Sequence, residues 1–199
     1  MNLTDRPDAT KPVTRVVTAL RISGFKFAVL SQLPIILKPL VYQAARLETI
    51  MNHQEDYPEE YLASILSDVK TIAMVGASPD ATKFSYGVLR VLHEQGYNMI
   101  PVNPKEAGNE IRGLKVIESL SAIDQPVDMV QVFRASEALP GIAQEAVAIG
   151  AKVLWGQIGV YSDEAAQTAE DAGMRVVMNR CPKIELFRPF WKPKLGQVI

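Results

Sequence analysis

The sequence predicts an α/β fold built on a doubly wound parallel sheet, and three observations support this. Short runs rich in Val, Ile and Met alternate along the chain with longer segments that carry apolar residues at helical spacing. The first run, Thr71–Val75, passes directly into Gly76, as a strand does at a tight turn into a helix. The run 97–102 follows after one predicted helix. Because crossovers between parallel strands are right-handed, such alternation covers both faces of one sheet with helices.

Apolar spacing and turn residues place each element. The predicted strands are 71–75, 97–102, a short one at 115–117, 127–133, 152–155 and 175–178. The predicted helices are 58–66, 84–95, a short one at 119–123, 136–149 and 163–172. A glycine stop signal follows three of these helices, at Gly96, Gly150 and Gly173. The strand–turn–helix–strand unit at 71–102 is that of a Rossmann-like fold.

Composition divides the chain near residue 53. Residues 1–53 hold seven Lys and Arg against three Asp and Glu, whereas the remaining residues hold fourteen against nineteen. We therefore expect a poorly structured N-terminal extension at 1–53, disordered or arising from a mis-assigned start, and one folded domain at 54–199. An organelle-targeting peptide in the extension is an alternative. The apolar run 27–37 is shorter than the roughly 20 residues of a membrane span, so no membrane association is predicted.

Charge and cysteine content narrow the function classes. An acidic body argues against a broad nucleic-acid surface, which requires a basic face. The single cysteine, Cys181, excludes an internal disulfide framework, so we expect a cytoplasmic protein. Only His53 and His93 accompany it, far apart in sequence, and a zinc cluster is not expected.

Ligands of such sheets bind beyond the carboxyl ends of the strands, so the residues after each strand are the candidates. Gly76, Ala77 and Ser78 follow the first strand, and Lys83 precedes the next helix. Glycine permits close backbone approach, and amides at a helix N-terminus favour an anion. The dinucleotide fingerprint G-x-G-x-x-G is absent, because Ser78 stands at its second glycine. A tight turn without a ligand is the alternative.

The second strand ends on Asn103, Pro104 and Lys105. An NAD site places a carboxylate here to accept from the ribose hydroxyls. In this chain Pro104 fixes the backbone, and Lys105 offers a point charge suited to a phosphate. The alternative is a solvated lysine in a turn.

The three later strands end on residues of mixed character. At the end of the predicted strand 127–133, the ring of Phe133 can cover an adenine or a pantetheine, with a place in the core as the alternative. The guanidinium of Arg134, the next residue, can pair with a phosphate. Gln157 and Gly159 lie in a glycine-flexed loop after the fourth, able to offer backbone amides. After the fifth, we expect Cys181 to be a buried small residue, with a ligand-facing thiol as the alternative.

Together the strand ends resemble one known family. The motifs are Val75–Ser78, Pro101–Lys105, Val127–Arg134, Trp155–Val160 and Asn179–Pro182. In order and spacing they are similar to the small stand-alone CoA-binding proteins, which resemble the N-terminal domain of the succinyl-CoA synthetase α subunit. The resemblance implies a Rossmann-like domain that binds coenzyme A. It implies that the family's nucleotide site lies at Gly76, Ala77, Ser78 and Lys105 in this chain. Phe133 and Arg134 match the family's third strand-end loop, and Gln157 and Gly159 match its fourth.

This chain departs from the family pattern at two points. Asn179 stands where many such sequences have Asp, which puts any role of that carboxylate in doubt. The phosphorylated histidine of the larger ligase belongs to a second domain that is not expected here. His93 lies in a predicted crossover helix and cannot take that role.

We therefore expect a non-catalytic protein that binds coenzyme A or an acyl-CoA as a carrier, sensor or regulatory partner. No acid–base pair and no nucleophile–base set is visible in the sequence. One alternative is an NADP-dependent oxidoreductase in which Lys105 binds the 2′-phosphate, and another is an interaction module without a ligand. The expected ligand is a small-molecule nucleotide; a protein partner or a homodimer is left open, as is the acyl group.

Overall fold

The structure, a computed structural model, describes residues 51–188 of the chain. Its helices are α1 (Glu59–Asp68), α2 (Phe84–Glu94), α3 (Leu139–Ala148), α4 (Asp163–Asp171) and α5 (Pro182–Leu186). Its strands are β1 (Thr71–Val75), β2 (Asn98–Val102), β3 (Glu110–Ile111), β4 (Leu114–Lys115), β5 (Met129–Val132), β6 (Val153–Gly156) and β7 (Arg175–Val177). No helix within residues 51–188 is long and apolar enough to cross a bilayer. The predictions for residues 1–50 lie outside the described residues.

Five parallel strands form the main sheet, in the order β2-β1-β5-β6-β7. Beyond β2, Ile117 makes a single parallel bridge to Val102. The direction in which the chain crosses the sheet reverses between β1 and β5. This is the topological switch point, where open α/β sheets bind their ligands. The predicted doubly wound, Rossmann-like α/β fold is confirmed.

Helices cover both faces of the sheet. On one, the α3/α4 face, Val130 and Leu154 belong to one apolar cluster with Leu139 of α3. Side chains alternate across a strand, so Gln131 and Trp155 lie on the other face. The crossover β1–α2–β2 runs across the sheet in the opposite direction to β5–α3–β6. Right-handed connections therefore place α2 on the second face, which we call the α2 face.

Two parts of the chain differ from the prediction. β3 and β4 form a hairpin through Arg112 and Gly113, whose φ angles of 54° and 78° suit a two-residue turn. Arginine is uncommon at a positive φ, so the turn could not be predicted from residue type. The Arg112 guanidinium lies 5.7 Å from the centre of the Tyr86 ring. The predicted strand 115–117 is reduced to the end of β4 and the bridge at Ile117. Helix α5 was not predicted, because five residues are too few for a helical apolar pattern.

Two tyrosine hydroxyls cover the outer edge of β7. Tyr61 Oη accepts from the Val176 N–H at 3.0 Å and donates to the Val176 carbonyl at 3.1 Å. Tyr57 Oη accepts from the Met178 N–H at 2.7 Å and lies 2.7 Å from His53 Nδ1. Because His53 is buried, the packed unit includes residues N-terminal to Tyr57.

Asp128 joins the amino ends of three strands. Its Oδ2 accepts from the Lys70 and Thr71 N–H groups at 3.0 and 3.1 Å, and its Oδ1 accepts from Lys152 Nζ at 2.8 Å. Burial by itself would raise the pKa of this carboxyl. The hydrogen bonds from Lys152, Thr71 and Lys70 outweigh burial, so the pKa lies below its usual range.

We expect Asp128→Asn to lower the free energy of unfolding at pH 7 by about 1–2 kcal/mol, because it removes charge-assisted hydrogen bonds. The folded-state pKa lies below the unfolded value of about 3.9. The carboxylate therefore stabilises the fold above that pH, and its contribution is lost as the pH falls through the folded pKa. Urea unfolding should show the gap between wild type and variant shrinking on acidification; a pH-independent gap would contradict this account.

Candidate ligand-binding site

The loops after β1 and β5 touch at the switch point. Gly76 has a φ of +87°, and a Cβ placed there would lie 3.0 Å from the Phe133 carbonyl oxygen. The same Cβ would lie 3.1 Å from Cδ of Arg134, so the arginine side chain crosses directly over the turn. Both the backbone angle and the lack of space require glycine. The carboxyl ends of β1 and β5 therefore meet at one place.

Asn103 joins the second strand end to the first. Its Nδ2 donates to the Ala77 carbonyl at 2.7 Å, and its Oδ1 accepts from the Lys105 N–H at 3.0 Å. Both polar atoms of the side chain are thus occupied within the protein. Pro104 and Lys105 are exposed. Asn103 acts by positioning the backbone that carries Lys105, whereas the lysine side chain stays available to a ligand.

Asn103→Asp is expected to weaken binding of a phosphate-bearing ligand about tenfold, because a carboxylate oxygen would repel the Ala77 carbonyl oxygen and displace the loop that carries Lys105. Calorimetry with coenzyme A measures the effect. Asn98→Asp is the matched control: it makes the same chemical change at the amino end of the same strand, where Asn98 donates to Thr71 Oγ1 at 3.3 Å. Equal losses of affinity in the two variants would refute the positioning role.

The loops after β5, β6 and β7 are joined in the same way. Ser136 Oγ accepts from the Tyr161 N–H at 3.0 Å and donates to the Gly159 carbonyl at 3.3 Å. Asn179 Oδ1 accepts from the Gly159 N–H at 2.8 Å, while its own backbone has a φ of 55°. The amide oxygen of Asn179 thus holds the loop of Gly159. Both ties run between residues distant in sequence, which is why Ser136 and Asn179 were not assigned this role from the sequence.

The turn between Gly76 and α2 is shaped by its own side chains. Ser78 Oγ accepts from the Asp80 N–H at 3.2 Å, and Asp80 Oδ1 accepts from Thr82 N–H at 2.9 Å and Thr82 Oγ1 at 2.7 Å. The Thr82 hydrogen bonds hold the pKa of Asp80 below its usual range. Lys83 precedes the first residue of α2, and no side chain caps the helix. The Tyr86 N–H donates to the Lys83 carbonyl at 3.1 Å, so the amides of the helix start that are open to an anion are those of Phe84 and Ser85.

Three exposed cations surround this end of the sheet. Lys83, Lys105 and Arg134 make no ion pair with any residue of the described range 51–188. Arg180, after β7, differs: it pairs with Asp56, and its guanidinium lies 5.7 Å from the centre of the Tyr57 ring. Unpaired cations beside a glycine turn and an uncapped helix suit a ligand with several phosphate charges.

The part of this edge formed by the ends of β5 and β6 includes side chains without charge, Phe133 and Gln157. Gln157 is 8% exposed, and its Oε1 is buried without a hydrogen-bond partner among residues 51–188. The Gln157 N–H donates to the Val132 carbonyl at 3.2 Å, which extends the β5–β6 ladder by one residue. Phe133, on the neighbouring strand end, is half-buried. This part of the site offers apolar surface and an unused acceptor rather than cations.

The remaining candidates lie in ordinary settings. Cys181 is buried directly before α5, as the sequence predicted. His93 is exposed on α2. Within residues 51–188, no group of three or more His, Cys, Asp or Glu is placed to hold a metal ion.

The family model of the CoA binding domain matches residues 70–186. The chain belongs to this CoA-binding domain family. The matched range runs from the residue before β1 to the end of α5, so it contains all five strand ends described above.

Relatives of this CoA-binding domain occur both alone and within larger proteins. The uncharacterized protein YneT of Bacillus subtilis (strain 168) is 41% identical over 62% of this chain and 90% of its own length. The α subunit of the ADP-forming acetate–CoA ligase I of Pyrococcus furiosus is 31% identical over 56% of this chain, a match that spans 27% of that subunit. The CoA-binding domain therefore corresponds to about a quarter of the ligase subunit.

Solved structures share its architecture. The structure of cell-free ID.343 from Thermus thermophilus has a TM-score of 0.62 and 34% identity, covering 70% of this chain and 99% of that one. A hypothetical protein from Pyrococcus horikoshii OT3 has a TM-score of 0.62 and 35% identity, covering 65% of this chain and 90% of that one. The fold of the CoA-binding domain is thus shared by proteins little longer than the matched segment.

Proposed function

We propose that this protein binds coenzyme A or an acyl-CoA at the carboxyl end of its sheet and does so without catalysing a reaction. The observation that carries the proposal is the group of three unpaired cations, Lys83, Lys105 and Arg134, around the glycine turn at the switch point. A nucleotide with a pyrophosphate and a further phosphate brings negative charges that can pair with these side chains. Membership of the CoA-binding domain family supports the same ligand.

The residues present fit the two chemically different halves of coenzyme A. Gly76 and the uncapped start of α2 suit the phosphate-bearing half, with Lys105 and Arg134 beside them. The other half, pantetheine, is an uncharged arm with two amides, one hydroxyl and a terminal thiol, joined by apolar methylene and methyl groups. The half-buried ring of Phe133 and the unpartnered Oε1 of Gln157 suit such an arm, because that oxygen needs a donor N–H.

A non-catalytic role is the second part of the proposal. The side chains at the strand ends include lysines, arginines, amides, the hydroxyls of Ser78 and Ser136, the carboxylate of Asp80 and the thiol of Cys181. Among residues 51–188 none of these is hydrogen-bonded to another as an acid–base or nucleophile–base pair. The P. furiosus relative is named as a ligase, but the match covers 27% of that subunit. We infer a carrier, sensor or regulatory partner that presents coenzyme A to another protein. A cytoplasmic location agrees with a single, unpaired cysteine.

Isothermal titration calorimetry with coenzyme A, desulfo-CoA, NADH and NADPH tests the proposal. We expect coenzyme A and desulfo-CoA to bind with similar affinity, and the two dinucleotides to bind far more weakly. Absence of coenzyme A binding at millimolar concentration would refute the proposal and favour an interaction module without a ligand. Tight NADPH binding together with hydride transfer to a carbonyl substrate would favour an oxidoreductase.

A further inference from the structure

Gln131 is a polar side chain enclosed in the middle of the sheet. It is 0% exposed, and neither its Nε2 nor its Oε1 has a hydrogen-bond partner among the described residues. Buried polar side chains are normally bonded, because an unpaired donor or acceptor destabilises the fold. His53 is bonded at both ring nitrogens, to Tyr57 and Glu170. Glu185 accepts from Arg188 Nη2 at 3.1 Å through one oxygen, and its other oxygen, which has no hydrogen bond, is ion-paired with Arg188 Nε at 2.7 Å. Within residues 51–188, Gln131 differs from the other buried polar side chains in that both of its polar atoms lack a partner.

The register of the sheet places Gln131 directly beneath the candidate site. It pairs with Met74 of β1 and Trp155 of β6 in one row across the α2 face. Two residues further along each strand is the next row on that face, at the carboxyl end. That row contains Phe133 and Gln157, and both strand ladders reach it through hydrogen bonds: Phe133 N–H to the Val75 carbonyl and Gln157 N–H to the Val132 carbonyl.

Two unpartnered amides thus lie on adjacent strands in consecutive rows. With neighbouring strands about 4.8 Å apart and a rise of about 3.3 Å per residue, such diagonal neighbours are about 8 Å apart, within reach of one extended polar group. Gln131 supplies an acceptor and a donor, and Gln157 supplies a second acceptor. No cation takes part in this pair, and the flanking side chains of Met74, Trp155 and Phe133 are apolar. A neutral group with N–H donors and a carbonyl acceptor complements this arrangement, whereas a phosphate does not.

We propose that Gln131, together with Gln157, is a specificity-determining residue for the amide-bearing arm of the ligand. On the proposed function, which this inference requires, that arm is the pantetheine of coenzyme A. Phe133 is half-buried in the row above Gln131, so contact between the arm and Gln131 requires the ring of Phe133 to move aside. The phosphates are held by the cations at the switch point, and the two glutamines distinguish ligands that carry the arm from those that do not.

The test compares coenzyme A with adenosine 3′,5′-bisphosphate, which keeps the adenosine, the 3′-phosphate and one of the two 5′-phosphates and lacks the arm. In Gln131→Leu the amide is replaced by an apolar side chain of similar size. We expect the affinity for coenzyme A to fall at least tenfold, the affinity for the bisphosphate to stay within twofold, and the unfolding midpoint in urea to stay equal or rise. Gln131→Met provides a second variant with a more adaptable side chain. Met129→Leu, a buried change on the same strand and face, should alter neither affinity.

The possible failures are distinguishable. If the wild type binds coenzyme A and Gln131→Leu and Gln131→Met bind it equally well, the inference is wrong while the proposed function stands. If both variants lose coenzyme A and the bisphosphate to the same extent, Gln131 is a structural residue and the inference is again wrong. If the wild type does not bind coenzyme A at all, the proposed function and the inference fail together.

Discussion

Gly156→Ala is expected to lower the free energy of unfolding by about 2–3 kcal/mol, although it adds a single methyl group. A Cβ at this position would lie 2.7 Å from the Val160 carbonyl oxygen and 3.1 Å from Sδ of Met178. The nearest atom belongs to the backbone and cannot rotate away. The Val160 carbonyl accepts from the Asn179 N–H, and the Gly156 carbonyl accepts from the Arg180 N–H, so moving this turn breaks the tie between the last two strand ends.

Chemical denaturation in urea measures this effect, with Gly141→Ala as the matched control. Gly141 lies in α3, and a Cβ there meets no atom of residues 51–188 within 4 Å. Alanine should stabilise that helix by about 0.5–1 kcal/mol, because it restricts the unfolded chain more than glycine does. The same substitution is thus expected to have opposite signs at the two positions. If Gly156→Ala were as stable as the wild type, the backbone at Val160 would be able to move aside for the added Cβ, and this account would be wrong.

The second large effect concerns binding. We expect Lys105→Ala combined with Arg134→Ala to weaken coenzyme A binding about 100-fold or more, since each removes a charge-assisted contact of about 1.5–3 kcal/mol. The unfolding free energy should change by less than about 0.5 kcal/mol, because both side chains are exposed and have no ion pair within residues 51–188. Calorimetry and urea unfolding on the same samples separate the two effects.

Salt provides an independent measurement of the same pair. Affinity of the wild type should fall as ionic strength rises, and the double variant should show a weaker dependence. The control is Lys70→Ala with Arg90→Ala, which removes two charges away from the carboxyl ends: Lys70 precedes β1, and Arg90 lies 3.8 Å from Glu94 on α2. If this control lost as much affinity as the test variant, net charge rather than local contact would govern binding.

The sheet could be predicted from the sequence because its signals are local. Each strand is a short apolar run, and its turn residues stand beside it in the chain, as Gly76 does after β1. The strand ends converge because parallel strands share a carboxyl edge, which is a property of the topology and not of any single residue. The positions of Gly76, Asn103 and Arg134 around one turn follow from that rule.

The connections within the site could not be predicted in this way. The bond from Asn103 to Ala77 joins residues of different loops, and so does the bond from Asn179 to Gly159. Residue type alone assigned Asn103 to the ligand, whereas its polar atoms are used inside the protein. Gln131 is visible in the sequence as a polar residue within an apolar strand, but the absence of a partner is known only once its neighbours are placed.

The tyrosine cover of β7 has a practical consequence for anyone who shortens this chain. Tyr61 lies in α1, but Tyr57 and His53 precede that helix, and the Met178 N–H depends on the Tyr57 hydroxyl. A fragment that starts at Pro58 would retain every strand and helix described above and still leave this backbone group of the last strand unsatisfied. An expression boundary should therefore be set upstream of Asn52, several residues before the first regular element of the domain.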